Sequence, residues 1–154
     1  MIQRIQTVFL ALTAVLFILP VVFPGGLALA SIDGSTSSLI LFTEKMVQDG
    51  ATVEMPYGLI GSLMVGLFLS IYAIMQYKNR KFQIKLVQAA IFVQLIFGAL
   101  IFFYADRMAG IADGGELAYK PTIAIVLVNV VLYFLAMRGI KKDDALVRSA
   151  DRLR

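Results

Sequence analysis

The chain has 154 residues, 60% of them hydrophobic and 16% charged, with a formal net charge of +4 and no Cys, His or Trp. Soluble domains run at about 45–50% apolar and about 25% charged, so this composition excludes an ordinary soluble domain. The missing Cys and His also exclude disulfides, thiolate and imidazole metal sites, haem ligation through His, and an imidazole proton shuttle.

The apolar residues are blocked into four long runs, which is the pattern of membrane-spanning helices. The first covers about residues 5–24 and is interrupted only by Gln6, Thr7, Thr13 and Pro20. Met1–Arg4 and Ala28-Leu29-Ala30 are the flanks a secretory leader would carry. An apolar stretch from Ile5 to Phe23 exceeds the roughly 7–15 residues of a leader's core, so the run reads as a retained helix.

Residues 30–56 are too many for a simple connection. Leu39–Thr43 and Ala51–Met55 flank Gln48-Asp49-Gly50, which predicts a β-hairpin turning at Asp-Gly. A short interfacial helix around Ser38–Val47 is an equal alternative. The second run, about 57–77, places Gly58, Ser62, Gly66 and Ser70 at every fourth position. Such a stripe lets a helix approach closely in lipid, against a neighbour in this chain or against another subunit. After a basic loop at 78–83 the third run covers 84–105, with Lys85, Gln88 and Gln94, and with Ala90, Gln94 and Gly98 on one face. Residues 106–120, containing Asp113-Gly114-Gly115, read as a turn-rich connection. The fourth run, 121–140, sets Asn129 and Tyr133 on one face and ends at Arg138, which can snorkel. In the tail, 141–154, Asp143 is placed to cap a short helix carrying Leu146, Ala150 and Leu153, with Asp144 and Arg148 one turn apart.

Charge sets the expected orientation. Eleven of the fourteen Lys and Arg lie at the N-terminus, in the 78–85 region or from Arg138 onward, whereas 30–56 and 106–120 hold only Lys45, Arg107 and Lys120. Those two loops carry seven of the ten acids. The positive-inside rule then puts both termini and the 78–83 loop in the cytoplasm, and 30–56 and 106–120 in the periplasm. The basic residues track topology rather than nucleic acid, so no nucleic-acid partner is expected.

These readings give an all-α protein of the inner membrane: a four-helix up-down bundle with a small periplasmic hairpin in its first loop. Catalytic, cofactor and metal residues are not predicted. No acid lies within a run, and phosphate loops, nucleophile elbows and zinc motifs are missing. Glu44, Asp49, Glu54, Asp106, Asp113 and Glu116 read as solvated loop charges, a cation site among them being the sharper alternative. Gly58, Ser62, Gly66, Ser70, Gln94, Gly98 and Asn129 are the expected helix-packing set, the mid-membrane amides bonding each other across the bundle. Lys141, Lys142, Arg148, Arg152 and Arg154 are the expected docking set for a protein partner or anionic lipid. The expected partners are the bilayer and other membrane-protein subunits or further copies of the chain. The preferred function is a non-catalytic accessory or scaffold subunit. The alternative is a small transporter or channel formed by oligomerisation, with Gln88, Gln94 and Asn129 near the pathway; an integral-membrane enzyme ranks third.

The opening Met1-Ile2-Gln3-Arg4-Ile5-Gln6-Thr7 and the tail Lys142-Asp143-Asp144-Ala145-Leu146-Val147-Arg148-Ser149-Ala150-Asp151-Arg152-Leu153-Arg154 resemble a Bacteroidota membrane family described as domain of unknown function 4293. The resemblance extends to the whole layout, but only these two ends are specific. It implies the same membrane topology and adds no activity.

Overall fold

The runs free of charge become helices, since in lipid or in a packed core an apolar segment must satisfy its backbone groups internally. The computed structural model describes residues 2–22, 28–32, 35–40, 43–45, 52–53, 57–111, 116–119 and 123–152. Helices α1 (Ile2–Val22), α2 (Tyr57–Met75), α3 (Arg80–Ile111) and α4 (Ala124–Arg152) form a ring in which α1 and α3 each pack on α2 and α4. Three of them are long and apolar enough to cross a membrane, over Tyr57–Met75, Arg80–Asp106 and Ala124–Ser149; the apolar part of α1, Ile5–Leu19, is shorter.

The bundle is filled by side chains from all four helices, among them Leu10, Phe17, Leu59, Val87, Phe97, Ile101, Tyr133 and Ile140. Its outer surface is equally apolar. Phe68, Met75, Phe92, Phe103, Leu127 and Val131 are all more than half exposed. An exposed apolar surface on this scale, on helices of this length, suits a hydrocarbon solvent, so these are the proportions of a membrane protein.

Both long connections contribute strands to one five-stranded antiparallel sheet: β1 (Ala28–Ile32), β2 (Ser35–Ile40), β3 (Thr43–Lys45), β4 (Thr52–Val53) and β5 (Glu116–Tyr119), in the order β4-β3-β2-β1-β5. The hairpin expected from Leu39–Thr43 and Ala51–Met55 is not the pairing present. Ile40 pairs with Thr43 and Leu39 with Glu44, so the first stretch folds back on itself, and β4 pairs with β3 through Glu44↔Val53 and Lys45↔Thr52. Gln48-Asp49-Gly50 lies outside the described residues. The helix considered around Ser38–Val47 gives way to strands wherever that stretch is described. The 106–120 connection differs too: α3 continues to Ile111, and β5 pairs with β1 from Ala28↔Tyr119 to Ser31↔Glu116. Phe102 on α3 meets Tyr119 edge-on at 5.3 Å, which fixes the sheet to the end of the bundle.

The opposite end is tighter than the sequence suggests. Only Gln76–Asn79 separate α2 from α3, because the Asn79 side-chain oxygen accepts the Phe82 N–H at 3.2 Å and caps α3. Lys81 and Lys85 consequently stand on the first turns of α3 rather than in a loop. The tail is not a separate helix capped by Asp143. It is the continuation of α4, which runs through Gly139 without a break. Gly139 serves the packing instead, since a Cβ there would stand 2.9 Å from Gln6 Cγ.

Candidate functional site

Six polar side chains, Gln6, Thr13, Ser70, Gln83, Gln94 and Asn129, are buried in the bundle among the described residues, and three of them belong to the expected packing set. Gly66 is closed over by Phe17: a Cβ on Gly66 would lie 2.5 Å from Phe17 Cζ. Phe17, only 2% exposed, also makes an edge-on contact with Phe97 at 6.3 Å. Gly58 is also a place of close approach, its N–H donating to the Tyr104 hydroxyl at 3.4 Å. That contact supplies an acceptor to the otherwise unpaired start of α2. Ser62 is half-buried and donates to the Leu59 carbonyl at 3.0 Å. Gly98 faces Val126 of α4, which a Cβ would meet at 3.2 Å.

One turn along α2 from Gly66, Ser70 donates to the Gly66 carbonyl at 2.8 Å. Its oxygen therefore accepts from the Tyr133 hydroxyl, 2.5 Å away. Thr13 donates to the Leu10 carbonyl at 2.8 Å and also reaches Tyr133. The result is a sealed triad of hydroxyls, with Thr13, Ser70 and Tyr133 each 0% exposed. Its members come from α1, α2 and α4, so it locks three helices in one register. The serine and tyrosine were visible in the sequence as separate stripes, but nothing there joins them.

The amides behave differently from expectation. Gln94 and Asn129 are buried, each 1% exposed, but they do not bond each other. Gln94 donates to the Val126 carbonyl across a long 3.5 Å, its oxygen has no partner, and neither polar atom of Asn129 has one. Leaving such groups unpaired in a core costs about 1–3 kcal/mol apiece. Gln88 is exposed, off the buried face of α3 that carries Gln94. Gln88, Gln94 and Asn129 therefore do not line one pathway within a single chain. The sequence reading also passed over Gln83, whose amide donates to the Ala73 carbonyl at 3.0 Å and so satisfies the end of α2.

Charge collects at the end of the bundle bearing the α2–α3 turn. Asp143 approaches Arg80 to 2.9 Å, the side chains being 14% and 22% exposed. Asp144 approaches Arg148 to 2.7 Å on the same helix face. Asp143 and Asp144 are thereby engaged, whereas Lys78, Lys81, Lys85, Arg138, Lys141 and Lys142 are exposed. Removing either partner of the Arg80–Asp143 pair should lower stability by about 0.5–1 kcal/mol, with the pair coupled to a similar degree. A double-mutant thermal cycle with Arg80→Gln and Asp143→Asn checks this, and full additivity would mean that the contact contributes nothing. Of the other expected docking residues, the side chains of Arg152 and Arg154 lie outside the described part.

No group of three or more Asp or Glu capable of holding a metal occurs among the described residues. Of the acids considered for a cation site, Asp49, Glu54 and Asp113 lie outside the described residues, and Glu44 and Glu116 stand on different strands.

Helices of this length around a filled core, with apolar surfaces outside and charges collected at one end, define a helical membrane protein. The chain belongs to the family described as domain of unknown function DUF4293, whose model matches residues 2–153. No curated protein matches it.

Proposed function

We propose that this is a four-span inner-membrane protein with both ends in the cytoplasm, acting as a non-catalytic accessory or scaffold subunit. The carrying observation is the form of α4. It runs unbroken from Ala124 to Arg152, a dozen residues beyond Ile140, its last buried side chain among the described residues, and leaves Leu146 and Val147 exposed. A helix continuous with a membrane span projects away from the bilayer by roughly 1.5 Å per residue, so this segment is placed to meet a protein rather than to lie on lipid. The Arg80–Asp143 pair holds its base.

Two features support the topology. Helix α1 exposes Ile5, Val8, Leu12, Val15 and Ile18 while packing along α2 and α4, so it shares the depth of the helices beside it. Arg80 and Lys81 open α3, although cations are unfavourable at a helix N-terminus. Retention of positive charge at the cytoplasmic face explains their presence there.

The test is a native pull-down in mild detergent. Charge reversal at Arg148→Glu and Arg152→Glu, with Lys141 and Lys142 intact, should release a co-purifying subunit while membrane insertion stays normal. An unchanged subunit profile would contradict the docking role. A pure homo-oligomer would favour the transporter or channel reading.

A further inference from the structure

Among the described residues, Gln6, Gln94 and Asn129 are buried amides with polar atoms left unpartnered, and Gln94 and Asn129 stand together on facing helices. Both come from the seam between α3 and α4. Gln94 reaches for the carbonyl of Val126, and Asn129 lies one turn along from Val126 on the same buried face. Together they leave an Asn amide, an Asn carbonyl and a Gln carbonyl unpartnered, all from residues 1% exposed. Phe97, 3% exposed, lies one turn along α3, and Gly98 leaves room only up to Val126. The hydroxyl triad, one turn along α4, has no donor to spare for the orphaned carbonyls: Ser70 and Thr13 both donate to carbonyls of their own helices, and Tyr133 donates within the triad.

A complement to this pair must both donate and accept, because the orphaned set contains N–H and C=O groups together. It must also be neutral, because the buried side chains within a turn of the pair carry no charge. It must be small, because large buried side chains occupy the neighbouring levels. Water meets all three conditions, and internal waters in proteins characteristically bridge two to four otherwise unsatisfied polar groups. We propose that Asn129 and Gln94 form an internal water site joining α3 to α4, with both carboxamides holding one shared hydration position. The site makes the α3–α4 contact polar where the α1–α2 contact at Phe17 and Gly66 is dry. The two sides of the ring are thus held by different forces at that depth. The inference is independent of any partner at the α4 extension.

The test uses the full chain in lipid nanodiscs, labelled uniformly with 15N, and reads magnetisation transfer from water to the side-chain amides. Cross-peaks to the water resonance are expected at both Asn129 and Gln94. Asn129→Leu should abolish the one at Gln94, and Gln94→Met the one at Asn129, with the backbone signals of Ser70 and Tyr133 unmoved. Absence of a water cross-peak at both amides in the unaltered protein would overturn the site. So would persistence of the Gln94 peak in a folded Asn129→Leu protein, since the two would then not share one position. If neither variant folds, the spectrum of the unaltered chain still decides.

Discussion

Gly66→Leu should destabilise the bundle by about 3 kcal/mol or more, whereas Gly61→Leu, one and a half turns away on the same helix, should change stability by less than about 0.5 kcal/mol. The difference is geometric. Even the first carbon of a side chain at Gly66 would stand 2.5 Å from the Phe17 ring, but a Cβ at Gly61 meets nothing within 4 Å. Phe17 cannot simply step aside, because it is 2% exposed and its ring is already packed edge-on against Phe97. Overpacking in a filled core costs about 1–3 kcal/mol, occasionally more, and in lipid no gain from apolar burial compensates it. Thermal denaturation in detergent compares the two variants. The pairing also predicts rescue: Phe17→Leu should recover a good part of the stability lost in Gly66→Ala. Equal melting of the Gly66 and Gly61 variants would mean that Phe17 does not occupy that groove.

The second large effect is expected at Tyr133. Tyr133→Ala empties a fully buried position where three helices meet and should cost about 3–5 kcal/mol, the usual range for deleting a large buried ring. Tyr133→Phe keeps the ring and removes only the hydroxyl. Ser70 and Thr13 retain their own backbone acceptors, so this loss should be about 1 kcal/mol, in keeping with the modest strength of polar contacts between helices in membranes. The ratio is the informative quantity. If Phe proves as damaging as Ala, the hydroxyl triad rather than the ring's packing holds the helices in register.

Several of these features could be read from the chain, for definable reasons. Long uncharged runs admit only helix in a membrane, so the number and approximate extents of the helices follow directly from Ile5–Phe23 and its three counterparts. The every-fourth spacing of Gly58, Ser62, Gly66 and Ser70 marks one face, but spacing does not say what lies opposite. Phe17 is one of eleven phenylalanines, and only the fold picks it out as the ring that fills Gly66. Gln6 reads only as an interruption of the first apolar run, and no local pattern singles out Gln83. Gln83 in fact satisfies a helix end, and Gln6 lies against the helix at Gly139. The tail misled because Gly139 and Asp143 are the usual residues of a helix stop and a fresh start. Here packing against Gln6 and attraction to Arg80 outweigh both local signals. The sheet was the least legible element. β1 and β5 lie more than eighty residues apart and are short, so no local period announces their pairing.

The most direct measurement for the proposed architecture is cysteine accessibility, since the native chain contains no Cys to interfere. Gln3→Cys, Ser35→Cys and Ser149→Cys place one thiol in the first turn of α1, one on β2 and one near the end of α4. With both ends cytoplasmic and α1 crossing the bilayer, an impermeant maleimide should label Ser35→Cys in intact spheroplasts. Gln3→Cys and Ser149→Cys should react only after permeabilisation. Labelling of Gln3→Cys and Ser35→Cys from the same side would show that α1 does not cross, and the fully reversed pattern would contradict the orientation.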